Sequence, residues 1–134
     1  MIQKACPIAL HPDGAPLRIA AFAHPQAGLQ LVKGTIETGE NPARAAAREL
    51  FEESGLETKS AILIGDSRTI ADDQHWHFSL CRIAPPVRER WQHYCQDDGG
   101  HLFKFFWHAL DAPYDGFAEP FQNALDWTRH ALKT

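Results

Sequence analysis

Residues 34–56 read GTIETGENPARAAARELFEESGL, and the reading of this stretch decides the fold. A glycine opens it, and Asn41-Pro42 spells a helix start. Asparagine accepts hydrogen bonds from the first free amides of a helix, and the fixed φ of proline suits the first helical position. Glu40 lies near the positive end of the helix dipole. The body, ARAAARELFEES, is alanine-rich and has no β-branched residue, so its helix propensity is high. Gly55 is the expected terminator.

On a wheel advancing about 100° per residue, Glu52 and Glu53 fall within about 60° of Glu49, so three carboxylates share one face. Ala45 lies on that face one turn earlier, and its small side chain leaves space above the cluster. The opposite flank carries Ala43, Ala46, Ala47 and Leu50, a narrow stripe fit to lie on a sheet. Arg44 and Arg48 stack at i, i+4 between the two surfaces. Like charges at these spacings cost a helix roughly 0.2–0.5 kcal/mol per pair, which Arg48 offsets in part. A hard divalent cation reverses the cost, because oxygen-only clusters suit Mg²⁺, Mn²⁺ or Ca²⁺. Taken alone, three glutamates read more readily as a solvated acidic face than as a cation site.

Outward from the helix, residues 3–11 and 17–24 read as two strands separated by His11-Pro12-Asp13-Gly14, which predicts a hairpin. Pro7 predicts an edge or a bulge in the first strand. Leu29 to Val32 alternates and leads into Lys33-Gly34. After the helix, strand patterns recur at 58–70, 75–83 and 101–109, the last preceded by the turn Asp97-Asp98-Gly99-Gly100. Residues 88–96, after Pro85-Pro86, fit either a strand or an irregular arm. Apolar spacing from about Pro120 predicts a C-terminal helix that packs on the sheet. Strands on both sides of a central helix, with a second helix at the end, predict an α/β fold of the α/β/α sandwich type, a mixed β-sheet between helices.

At 134 residues the chain is expected to form one domain spanning 1–134. Its 44% apolar and 22% charged composition is that of a folded globular protein. A formal charge of −4 with no basic stripe argues against nucleic acid as a partner. An acidic protein still handles phosphate when bound cations supply the positive charge. Cys6, Cys81 and Cys95 are widely spaced without a CxxC and read as buried reduced thiols. The N-terminus lacks an apolar leader core and no stretch approaches a membrane span, so a cytoplasmic protein with no membrane association is expected.

Gly34, Glu40, Arg48, Glu49, Leu50, Glu52, Glu53, Gly55 and Leu56 satisfy the pattern G-x5-E-x7-R-E-U-x-E-E-x-G-U at every specified position, U being a bulky apolar residue. This is the Nudix box, and the chain resembles the Nudix (MutT-like) hydrolases. The resemblance implies the Nudix sandwich and hydrolysis of a pyrophosphate bond in a nucleoside diphosphate linked to another group X, with Mg²⁺ or Mn²⁺ as cofactor. It implies Glu52 and Glu53 as principal metal ligands, joined by the Gly34 carbonyl. Glu49 would bind a further metal or act as the base on the attacking water. Arg48 would orient the carboxylates, and Glu40 would support the loop. Members of the family also form homodimers, although no interface is legible here.

The chain departs from many members before the box, where Leu29-Gln30-Leu31-Val32-Lys33 stands in place of an aromatic residue and a proline. Lys33 offers a cation near the phosphates instead. The additional carboxylate that many members take from a later loop would come from Asp97 or Asp98, with Glu89 behind them. Trp76, Trp91 and His101 are candidates for reaching the substrate. His75 and His77 share a strand face but lack a third ligand. Lys33-Gly34-Thr35-Ile36-Glu37 resembles the lead-in of members that cut dinucleoside polyphosphates, and the range of substrates stays open. The alternative reading is a Nudix-fold module that binds a nucleotide without turnover. The complete box argues against that module and against an isopentenyl diphosphate isomerase, whose box diverges.

Overall fold

In a computed structural model of the chain, residues 1–133 are described, apart from the side chain of Asp98. Eight strands and two helices follow in the order β1 (Ile2–Leu10), β2 (Arg18–His24), β3 (Gly28–Gln30), β4 (Gly34–Thr35), α1 (Pro42–Ser54), β5 (Thr58–Ser67), β6 (Gln74–Ile83), β7 (Arg90–Cys95), β8 (His101–Ala109) and α2 (Glu119–Leu132). A 3₁₀ turn at Asp97–Gly99 joins β7 to β8. Among the described residues no helix is long and apolar enough to cross a membrane.

The mixed sheet runs β5-β6-β1-β2-β8-β7, with β3 on β2 and β4 on β1. The one parallel pair among the described strands is β1 with β6, in register from Ile2 opposite Gln74 to Leu10 opposite Arg82. Both faces of the sheet are covered. One core, beneath α1, joins Ala5, Ala9, Ala20, Phe22, Ala45, Ala46, Leu50 and Phe105. The other, beneath α2, joins Cys6, Ile8, Trp76, Phe78, Phe121 and Leu125. This explains why residues 5–9 of β1 are buried without alternation, as a strand covered on both faces requires. Alanines on α1, β1 and β2 let helix and sheet approach closely, and Leu50, Phe22 and Phe105 fill what remains.

Several expectations are corrected. The hairpin is closed only at its turn, where Leu10 pairs with Ile19. Further along, β1 leaves β2 and takes β4 as its neighbour, Lys4 opposite Thr35 and Ala5 opposite Gly34. Pro7 therefore stands in an interior strand rather than at an edge. On the side away from β6 it lies between these two pairings, where β1 has parted from β2. Ala45 does not leave open space: it is fully buried in the core. The buried stripe of α1 is Ala45, Ala46, Glu49, Leu50, Glu53 and Ser54, so Glu49 and Glu53 share the core side with Leu50 while Glu52 faces outward. The strand predicted to reach residue 70 ends at Ser67. Residues 90–95 settle as a strand whose Trp91, His93 and Cys95 face α1, and whose Arg90, Gln92 and Tyr94 face solvent.

Candidate active site

The splitting of β1 from β2 opens one end of the sheet. Leu31, Val32 and Lys33 pass through the gap, and β4 brings Gly34 against the buried side of α1. The resulting cleft encloses about 710 Å³. One wall carries Glu49, Glu52, Glu53 and Asp97; another carries Phe22, His24, His101 and Phe103; Lys4 and Lys33 lie between.

α1 is built as its sequence dictates. The Asn41 side chain accepts from the amides of Ala43 at 2.8 Å and Arg44 at 3.3 Å, and Gly55 closes the helix at φ 78° with its N–H on the Phe51 carbonyl. Gly34 is required for a different reason. A Cβ there would fall on the Glu49 carboxyl group, so any larger residue would have to push that side chain from its place against β4.

Arg48 gathers the box. Its Nε donates to Glu40 Oε2 at 2.8 Å and Nη2 to Glu40 Oε1 at 3.0 Å, a two-pronged pair. Nη1 donates to Glu49 Oε1 at 2.8 Å and Glu52 Oε1 at 3.3 Å, and Nη2 also reaches the Thr35 carbonyl at 3.1 Å. These hydrogen bonds hold the Glu40 carboxyl below its ordinary range and raise the Arg48 guanidinium further. Glu40 also accepts the Glu37 amide at 3.0 Å, which fixes the loop before the helix.

The two inward carboxyls, Glu49 and Glu53, shift the other way from Glu40. Burial raises Glu49, and its hydrogen bonds to Glu53 and Arg48 only partly oppose this. Burial raises Glu53 further, and the adjacent Glu49 charge adds to it. Two touching carboxyls so withdrawn from water share a proton or require a cation. Burial, and then Lys33, lower the Lys4 ammonium; its Nζ donates to Thr35 Oγ1 at 2.9 Å.

Glu49, Glu52 and Asp97 each offer an oxygen, and the three oxygens lie within 4.8 Å of one another. Hard oxygen donors brought this close, two of them from neighbouring turns of α1, are a donor set that suits a hard divalent cation. Asp97 thus joins the box carboxylates although it lies 45 positions beyond Glu52 in the chain. The side chain of Asp98, the companion candidate, lies outside the described residues. Glu89 is elsewhere, bound to Arg18 at 2.6 Å and His11 at 2.9 Å.

The aromatic candidates divide. His101 reaches the cleft, its ring 4.7 Å from that of His24 and parallel to Phe103 at 6.4 Å. Phe103 in turn stacks on Phe22 at 4.3 Å. Trp76 does not reach it: the ring is fully buried under α2, edge-on to Phe121 at 5.9 Å, with Nε1 on Gln74 at 2.8 Å. Trp91 packs behind the cleft against Phe105 at 5.1 Å. His75 and His77 do share a face, with ring centroids 4.2 Å apart, but their Nε2 atoms are engaged by Asp66 at 2.6 Å and Gln3 at 2.7 Å. Lys4, Phe22, His24 and Phe103 were not legible as site residues. Each belongs to an ordinary strand pattern, and only the separation of β1 from β2 turns them to the cleft.

The sequence model of the NUDIX domain family matches residues 13–128, and the chain belongs to that family. Solved structures share the fold. The MutT NUDIX hydrolase from Burkholderia pseudomallei is 22% identical with TM-score 0.59, over 93% of this chain and 95% of that one. An ADP-ribose pyrophosphatase from Streptococcus suis is 12% identical with TM-score 0.67, over 96% and 92%. The Bacillus subtilis pyrophosphohydrolase BsRppH is 16% identical with TM-score 0.69, over 98% and 81%. At these identities the likeness concerns the fold alone. No curated protein sequence matches the chain.

Proposed function

We propose that the chain is a divalent-cation-dependent pyrophosphohydrolase acting on a nucleoside diphosphate linked to another group. The observation that carries this reading is the convergence of Glu49, Glu52 and Asp97 oxygens within 4.8 Å in a cleft that Lys4 and Lys33 also line. Family membership and the neighbours named as pyrophosphatases and pyrophosphohydrolases support the same reaction class.

Glu49, Glu52, Glu53, Asp97 and the Gly34 carbonyl would hold Mg²⁺ or Mn²⁺. When bound, such an ion neutralises diphosphate oxygens and makes a coordinated water more acidic. The chain does the rest. Arg48 holds Oε1 of Glu49, and the oriented Glu49 carboxylate would accept the proton of the attacking water. Burial raises the proton affinity of Glu49 above that of an ordinary carboxylate, which suits a base. Lys4 and Lys33 take the phosphate oxygens farther from the carboxylates. His101 and Phe103, whose ring planes lie within 8° of each other, would offer an aromatic face on which a nucleobase stacks, with His24 tilted beside them. Cys6, Cys81 and Cys95 are free and buried, in keeping with a cytoplasmic setting.

The test is a product screen of nucleoside triphosphates, nucleotide sugars, ADP-ribose, dinucleoside polyphosphates and capped RNA ends, with Mg²⁺ and with Mn²⁺. Cleavage between phosphates, abolished by EDTA and reduced by orders of magnitude in Glu53→Gln, is expected. Nucleotide binding without turnover under either metal would replace the enzyme with a binding module.

A further inference from the structure

We infer that Trp91 and His93 of β7 are positioning residues that tie the last turn of α1 to the strand delivering Asp97, and so set the spacing between Asp97 and the box carboxylates. The inference rests on the metal-site reading above.

The last four carbonyls of a helix have no partner within it. In α1, the Gly55 amide takes that of Phe51. β7 takes two of the others. His93 Nε2 lies 3.1 Å from the Glu52 carbonyl, and Trp91 Nε1 donates to the Ser54 carbonyl at 2.9 Å. A carbonyl oxygen only accepts, so Nε2 of His93 carries the proton. Its Nδ1 faces Gly55, 3.1 Å from where a Cβ would stand, so the helix terminator and the imidazole are fitted to each other.

Trp91 is itself fixed. Its ring lies face to face on Phe105 at 5.1 Å and 10°, with Trp107 at 5.6 Å on another side. Trp91, His93 and Cys95 occupy one face of β7, and Asp97 follows two residues later. Glu52 is held by His93 through its backbone and meets Asp97 through its carboxylate. One short strand thus spans from the end of the box helix to the carboxylate that completes the cluster. A cation bound between two elements needs that distance set within about half an ångström. Outer partners that orient ligands typically govern metal affinity by 10–100-fold.

A double-mutant cycle with Mn²⁺ as the probe tests this. Free Mn²⁺ is read by electron paramagnetic resonance in titrations of the wild type, His93→Ala, Asp97→Asn and the double variant, with no substrate present. His93→Ala is expected to raise the Mn²⁺ dissociation constant on the order of tenfold in the wild-type background and less than about twofold once Asp97 is replaced. His93→Gln, which returns a donor to the Glu52 carbonyl, is expected to restore most of the affinity. Trp91→Phe keeps the stack on Phe105, removes the Nε1 donor and moves the constant the same way. Equal losses with and without Asp97, or no loss in a folded His93→Ala, overturn the inference and leave the metal site standing. A wild type that binds no Mn²⁺ overturns the metal site and the inference together.

Discussion

Replacing Gly34 with alanine isolates one contact on which the cleft depends. The backbone at Gly34 lies outside the left-handed region, so alanine is allowed there and would on its own stabilise by about 0.4–1 kcal/mol through the unfolded chain. The added methyl, however, meets the Glu49 carboxyl, which is 7% exposed and bonded to Arg48 at 2.8 Å. Overpacking costs about 1–3 kcal/mol. Displacing Glu49 also weakens a charge-assisted bond worth roughly 1.5–3 kcal/mol when shielded, and less here because Arg48 is 27% exposed. The net expectation is a loss of about 2 kcal/mol, which for a domain of this size lowers Tm by about 6–10 °C. The assay is urea unfolding in EDTA of the wild type, G34A, E49A and the double variant. If the clash is with Glu49, alanine at position 34 costs under about 0.5 kcal/mol once Glu49 is alanine. The same cost in both backgrounds would refute the reasoning, because strain would then lie in the β4 backbone.

Other predictions follow from the same geometry. Glu49 and Glu53 have folded carboxyls raised above their unfolded range near 4.5. The stability they contribute is therefore full below that range and lost as pH climbs through the folded values. In metal-free buffer, Glu53→Gln should be more stable than the wild type at pH 8, with a gap that closes towards pH 5 in thermal scans; a constant gap would contradict the shared burial. Removing the charge of one of three converging carboxylates in Asp97→Asn should weaken Mn²⁺ binding by roughly tenfold or more, equivalent to about 1.4 kcal/mol, as calorimetry would report. Stacking of a base is worth about 1–3 kcal/mol, so His101→Ala should raise KM on the order of tenfold with kcat little changed. His101→Phe should restore KM; a loss confined to kcat would make His101 a proton carrier instead.

How far the sequence could be read depended on whether a feature was local. The cap at Asn41, the terminator Gly55 and the grouping of Arg48 with its glutamates depend on residues within a few turns, and the structure keeps them as read. The wheel nevertheless placed Glu49 and Glu53 opposite the packing stripe, since a wheel gives angles but not which side meets the sheet. Gly34 decides that side by admitting Glu49, a contact across fifteen residues. Asp97 entered by chain order alone, and the side of β7 that turns it towards α1 is hidden by the polar Arg90, Gln92 and Tyr94 that alternate with Trp91 and His93. Lys4 and His24 were illegible because their place follows from the parting of β1 and β2. Trp76 misled in the opposite way: its neighbours fit either face, and α2 covers the one it occupies.

In the proposed function, Glu49, Glu52 and Asp97 together hold the cation on which cleavage depends. Crystals grown with Mn²⁺ and a non-cleavable nucleoside diphosphate analogue, measured at a wavelength where manganese scatters anomalously, test it most directly. An anomalous peak is expected within about 2.0–2.6 Å of oxygens from all three carboxylates, in contact with a phosphate oxygen of the analogue. A peak on other residues, or bound analogue with no peak at this cluster, would contradict it.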